Sequence, residues 1–277
     1  MNAQLAYAIW TWGTETKEQL IAGITDIKEV GYTYFESVVS LIDTFRDRVD
    51  EFKAIVRENQ VYPVSFYFWQ RGDAEDDVES VRRSLDFLAA NEIKRMSVQA
   101  PGKPGGGAAR AELDQLLTVL ERIGKLAQPY GIAPCLHPHA NTQVMYESEI
   151  DFIMGRLGPD LLSFGPDTAH LAVGRCDPVE IFRRYADRIK FVHLKDVKKN
   201  RQVTVDEGKT KEFEVYSDFL ELGEGDVDLP GVLAVLESVN YDGYLCIELD
   251  SSRYGNKESA AMNMAYMRKL AAGALVK

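Results

Sequence analysis

Along this 277-residue chain, a short apolar run rich in β-branched and aromatic residues repeatedly gives way to a longer stretch with helical hydrophobic spacing. Eight such pairs occur, and that alternation limits the fold to a few parallel-sheet architectures. The expected strands are Leu5–Trp10, Tyr32–Glu36, Tyr62–Phe68, Arg95–Gln99, Ile132–His137, Leu161–Asp167, Ile189–His193 and Tyr244–Glu248. The helical stretches include Lys17–Val30, stopped by Gly31, a single Leu41–Asn59, and Pro178–Asp187, entered through Asp177 as N-cap. An open doubly wound sheet alternates in the same way, but eight units in a chain near the typical ~250 residues predict a (β/α)8 TIM barrel. No strand is followed by a phosphate-binding glycine fingerprint. The glycine-rich PGKPGGG at 101–107 lacks the required spacing and reads as a loop.

One segment breaks the rhythm. The connection after the seventh strand is long and polar, and such connections tend to carry function. Residues 197–222 are expected to form an inserted rim segment on a single domain spanning 1–277, with a small hairpin built from QVTV and EFEVY. With 43 acidic against 32 basic side chains, the net charge is −11, which argues against nucleic-acid and anionic-membrane partners. The N-terminal MNAQLAYAIWTWGTE has neither the charged start nor the apolar core of a signal peptide, and no apolar run is long enough to span a membrane. Three cysteines without a short-spaced pair fit a reducing cytoplasm, with Cys135 and Cys246 as plain buried thiols.

Barrel chemistry sits at the C-terminal ends of the strands. All four histidines of the chain fall there, at 137, 139, 170 and 193. His137 ends strand five, and His139 follows Pro138, which ends the ladder and sends the next residue to the mouth. Asp167 ends strand six with His170 beyond it; His193 ends strand seven, ahead of Lys195; Glu248 ends strand eight. Imidazoles and carboxylates converging on one rim are a donor set for a divalent metal ion. Glu36 at the end of strand two and the aromatics Trp10, Trp12, Phe68 and Trp69 are candidate substrate contacts, the rings for stacking on a sugar. Arg253, past the last strand, joins them, and His170 reads as a substrate contact rather than a ligand.

The motifs HPHANT, PDTAHLAVGRCDP, RIKFVHLKD, GEGDVDL and YDGYLCIELD, in this order, resemble the xylose isomerase-like barrel superfamily. The set is most similar to its inosose dehydratase branch. The resemblance implies one divalent metal ion, Mn²⁺ first among Co²⁺, Mg²⁺, Zn²⁺ and Fe²⁺, held by Asp167, His193 and Glu248. His137 stands where many members carry a glutamate. It also implies a carbohydrate or cyclitol substrate and an enzyme that works through a metal-stabilised enediolate; a homo-oligomer is compatible with the chain. The catalytic candidates are His139 and Glu248 for proton transfer and Lys195 for an oxyanion. Because the strand-five glutamate is missing, the expectation moves from sugar isomerase or epimerase towards a lyase acting on a keto-inositol, keto-sugar or 3-keto-glycoside. A non-catalytic sugar-binding barrel is the remote alternative.

Overall fold

The computed structural model describes residues 2–198, 205–206, 209–210 and 219–273. Its strands are β1 Gln4–Ala8, β2 Tyr34–Val38, β3 Tyr62–Trp69, β4 Arg95–Gln99, β5 Ala133–His137, β6 Ser163–Phe164, β7 Val192–Leu194, β8 Asp196–Val197, β9 Val205–Asp206, β10 Lys209–Thr210, β11 Phe219–Leu220 and β12 Tyr244–Ile247. Eight of them form one parallel sheet in the order β6-β5-β4-β3-β2-β1-β12-β7, with a helix after nearly every strand. The two edge strands meet through isolated parallel bridges, Phe164 with Ile189 and Asp167 with His193. The chain is therefore a (β/α)8 TIM barrel.

That seam is thin for a chemical reason. Strand six was expected over Leu161–Asp167, but only two residues pair regularly. Pro166 has no N–H to donate, and Gly165 lies so close to strand five that an added Cβ would meet Cys135 Cβ at 2.9 Å. Two backbone–backbone bonds cross the seam instead: Lys190 N–H to the Phe164 carbonyl, and His193 N–H to the Pro166 carbonyl. Asp167 then turns out of the strand and caps a short helix, Thr168–Val173, whose His170 N–H it accepts at 2.7 Å. The seam thus sets Asp167 beside His193.

The helix expected over Leu41–Asn59 is two helices, Val39–Phe45 and Val49–Asn59. Arg48 is non-helical (φ −133°), and the bend lets Phe45 and Phe52 stack at 5.4 Å in the core. Side chains on β3 alternate as a strand requires. Phe66 and Phe68 face the outer helices, while Ser65, Tyr67 and Trp69 face the barrel axis or its mouth.

At the rim, β8 and β11 pair antiparallel and zip the two ends of the inserted segment together. β9 and β10 form a small antiparallel hairpin, tighter than the one expected; its EFEVY arm lies outside the described residues. Asp196 fixes the return path. Its carboxylate accepts N–H bonds from Val197, Gly223, Gly225 and Val227, at 2.8 to 3.1 Å. An added Cβ at Gly225 would sit 2.0 Å from that carboxylate, so only glycine fits there. Among the described residues, no helix is long and apolar enough to cross a membrane. Cys135, Cys176 and Cys246 are buried, free thiols.

Candidate metal centre

Glu36 lies at the floor of the mouth, fully buried. Its Oε1 accepts from the hydroxyls of Ser65 and Ser97, each at 2.7 Å, and its Oε2 meets Nε2 of His193. These partners satisfy a carboxylate that would otherwise be costly to bury. The pairing also orients the His193 ring, turning Nδ1 towards the barrel mouth. There Nδ1 lies 3.0 Å from His137 Nδ1 and 3.5 Å from Glu248 Oε2.

One ligand atom from each of His137, Asp167, His193 and Glu248 lies within 4.8 Å of all the others, and all four residues are buried. His137 Nε2, Asp167 Oδ2 and Glu248 Oε2 have no hydrogen-bond partner. A buried polar atom left unpaired costs about 1–3 kcal/mol, so three on one four-residue cluster call for an explanation. A divalent cation supplies it, since two imidazoles and two carboxylates suit Zn²⁺, Mn²⁺, Fe²⁺ or Co²⁺. The residues present fit such an ion.

The electrostatics match. Burial opposes charge on His193, but Glu36, Glu248 and Asp167 outweigh it and push the ring's pKa up to about 9. Burial raises Asp167 to about 7 against the pull of Lys195. Burial, then the neighbouring His193, holds His137 well below the usual histidine range. Protons on His193 and Asp167 are what a cation would displace.

Above the cluster lies a second group centred on Lys195. Its ammonium is fully buried, pairs with Glu248 Oε1 and lies 3.2 Å from Asp250 Oδ2, 3.2 Å from His170 Nε2 and 3.9 Å from Asp167 Oδ2. The Phe219 ring of β11 covers the ammonium at 4.5 Å and touches His170 at 4.7 Å. Burial opposes the charge on Lys195, but Asp250, Glu248 and Asp167 prevail and raise its pKa. His170 stacks on His139 with ring centres 3.7 Å apart. The His139 ring is further fixed by an Nδ1 contact of 2.7 Å to the Ala140 carbonyl, so Nδ1 carries the proton and Nε2 is the basic nitrogen. Burial, then Lys195, lowers its pKa to about 4.

A cavity of about 470 Å³ opens over these groups. Of the candidates, His139, Glu248, Trp10 and Trp69 line it. Tyr67 and Asp250, which the sequence places on the same rim, also line it, as do Gln70 and Gln99, which sequence reasoning did not single out. Strand periodicity carries part of the signal: if Trp69 faces the mouth, so does Tyr67, whose hydroxyl donates to Gln99 Oε1 at 2.5 Å. The remaining candidates lie elsewhere. Phe68 faces the outer core. Trp12 ends a 3₁₀ turn that swings it outward, where its indole N–H donates to Asp26. Arg253 is held by Glu221 and Glu224 on the rim. Glu36, His170 and Lys195 support the cavity wall from behind rather than lining it. Their roles follow from what they hold in place.

Glu36→Gln tests this placement. The variant keeps the size and the serine contacts but removes the charge that orients His193. Metal affinity is expected to fall about 10–100-fold, as when such an outer partner is lost. Competition against a chelator measures it, and unchanged affinity refutes the role.

The family description "Xylose isomerase-like TIM barrel" matches residues 24–270. Inosose dehydratase of Lacticaseibacillus casei is 35% identical over 144 residues, covering 50% of this chain and 47% of that protein. Inosose dehydratase of Bacillus anthracis is 31% identical over 193 residues, 64% of each chain. The match thus spans 47 to 64% of the length of these curated relatives. The IolI protein, solved with a bound zinc atom, shares the fold with a TM-score of 0.77 at 16% identity, covering 99% of this chain and all of that one. The match over residues 24–270 covers most of the chain and agrees with the closed barrel seen in the structure: the chain belongs to the xylose isomerase-like TIM barrel family.

Proposed function

We propose that this protein is a divalent-metal-dependent lyase that removes water or an alcohol from a keto-inositol, keto-sugar or 3-keto-glycoside. The observation that carries the reading is the buried His137–Asp167–His193–Glu248 cluster, with three unpaired polar atoms, beneath a cavity walled by His139, Glu248 and Asp250. The inosose dehydratase relatives put keto-inositol first among the substrates. A divalent ion held by the cluster supplies Lewis acidity, which makes the proton beside the substrate carbonyl easier to remove.

The chain's own residues do the rest. His139 is neutral at pH 7, and its Nε2 takes the α-proton. Lys195 holds Glu248 and Asp250 in place, and the Asp167 cap fixes the backbone that carries His170. Asp250 is the carboxyl that returns a proton to the leaving oxygen. Burial raises its pKa above that of an ordinary carboxyl, against the pull of Lys195. An epimerase works with two like bases on opposite faces of one carbon. This wall offers an imidazole and two carboxyls in different surroundings, and that favours elimination.

Incubating the Mn²⁺-loaded protein with keto-inositol is expected to produce the ultraviolet absorbance of a conjugated enone. A changed sugar without new absorbance marks an isomerase or epimerase. No change across keto-inositol, ketoses and 3-keto-glycosides overturns the enzymatic reading.

The rim segment 197–222 lies largely outside the described residues, and its role as a lid is part of this proposal. Its support is the Phe219 ring resting on Lys195 and His170, which ties the segment's base to the site. Amide exchange across 197–222 is expected to be faster than in the strands and to slow when a substrate analogue binds. Equal protection in both places, unmoved by ligand, refutes the lid.

A further inference from the structure

The cavity has two ends of different chemistry. His139, Glu248 and Asp250 come from the ends of β5 and β12. A second stretch of wall, from the ends of β1, β2 and β3, carries Trp10, Val38, Trp69 and Gln70. At about 470 Å³ the space exceeds one six-membered ring with its hydroxyls and falls within the range of sites that enclose drug-sized ligands.

Two features of the second wall point to a ligand. Trp69 is 38% exposed, so a large ring stands open at the mouth without a covering group. Gln70, next to it, is only 6% exposed, yet its Nε2 has no hydrogen-bond partner. An unpartnered amide donor on a residue of the cavity wall is a place where a bound molecule can accept a hydrogen bond. The wall is also preorganised. The indole N–H of Trp10 donates to the Leu249 carbonyl at 3.0 Å, and the Gln70 backbone N–H is fixed to the Gln99 carbonyl at 3.0 Å.

We propose that this wall is a second subsite, which holds a ring joined to the reacting sugar through a glycosidic oxygen, with Trp69 as the stacking platform and the Gln70 amide donating to an oxygen of the glycoside. The inference rests on the keto-carbohydrate reading above and narrows it to glycosides over free single rings. The attached ring is an aryl aglycone or a second sugar. Both present an apolar face to an indole, and they differ in their hydroxyls.

Calorimetric titration of the Mn²⁺-supplemented full chain tests it with three unoxidised ligands: methyl β-glucoside, phenyl β-glucoside and cellobiose. Lacking an activating carbonyl, they report binding without turnover. At least one of the two larger ligands is expected to bind about 3–10-fold tighter than the methyl glucoside, the size of a well-placed aromatic contact. Preference for phenyl marks an aglycone; preference for cellobiose marks a second sugar. Trp69→Ala should erase the preference, while Trp69→Phe should retain most of it. Gln70→Leu should weaken the preferred ligand about 3–10-fold. Equal affinity for all three, no binding of any, or a Trp69→Ala loss shared equally by the small and large ligands overturns the subsite. Turnover of keto-inositol, measured in parallel, separates the two readings. Turnover without a size preference overturns the subsite alone, and a size preference without turnover of any keto compound overturns the lyase alone.

Discussion

Asp167→Asn is expected to reduce bound divalent metal to trace while leaving the barrel folded. Asp167 has two separable duties. Its Oδ1 caps the Thr168–Val173 helix, and asparagine caps a helix equally well. Its Oδ2 is buried without a hydrogen-bond partner, inside the four-residue cluster. The substitution removes a charge from the second duty and leaves the first intact. The loss should exceed the ~10–100-fold that accompanies removal of an outer partner, because a ligand itself is changed. Elemental analysis after dialysis against Mn²⁺, Zn²⁺ and Co²⁺ reads the metal, and circular dichroism reads the fold. Stoichiometric metal in the variant, or only trace metal in the parent protein, sinks the assignment. His193→Ala should lose the metal as well. That variant also deprives the buried Glu36 carboxylate of a partner, so its melting temperature should fall further than that of Asp167→Asn.

The second large effect separates two histidines that stand two positions apart. His139→Ala is expected to keep the metal and to lose about 10²–10⁴-fold in turnover, the range for a general acid–base group. His139 lines the cavity, whereas the His137 side chain is buried within the cluster. Exchange of the substrate α-proton with deuterated solvent should slow in step with turnover. His137→Ala should instead lose metal affinity. Normal metal and normal exchange in His139→Ala, with only substrate affinity changed, would make the pair a clamp. Metal loss in His139→Ala would exchange the two roles.

The barrel was legible because each strand is an apolar run with a hard stop, and because polar residues sit where the runs end. That placed His137, Asp167, His193 and Glu248 on one rim, and the structure brings their ligand atoms together. Orientation was less legible. Phe68 and Trp69 are neighbours on one strand, so they cannot face the same side, and the run YPVSFYFW does not mark which points inward. A register shift between β2 and β3, at Phe35/Glu36, further loosens any count along the strand. Depth was the least legible. Glu36 and His170 read as substrate contacts, and Lys195 as a catalytic group for an oxyanion, because they end strands or follow them. Only the folded chain shows them saturated by neighbours, Glu36 by two serines and His193, Lys195 by Glu248, Asp250 and His170.

The thin closure between β6 and β7 gives the metal set a mechanical meaning. His137 lies on one side of that closure, His193 and Glu248 on the other, and Asp167 bridges it. An ion gripping all four is a rivet through the weakest joint in the circle of strands. Whatever such an ion would do for a substrate, it would also tie the sixth strand to the seventh where the backbone offers only two bonds. Occupancy and folding stability are then linked through the same four side chains, and the barrel is at its most cohesive when it is ready to work.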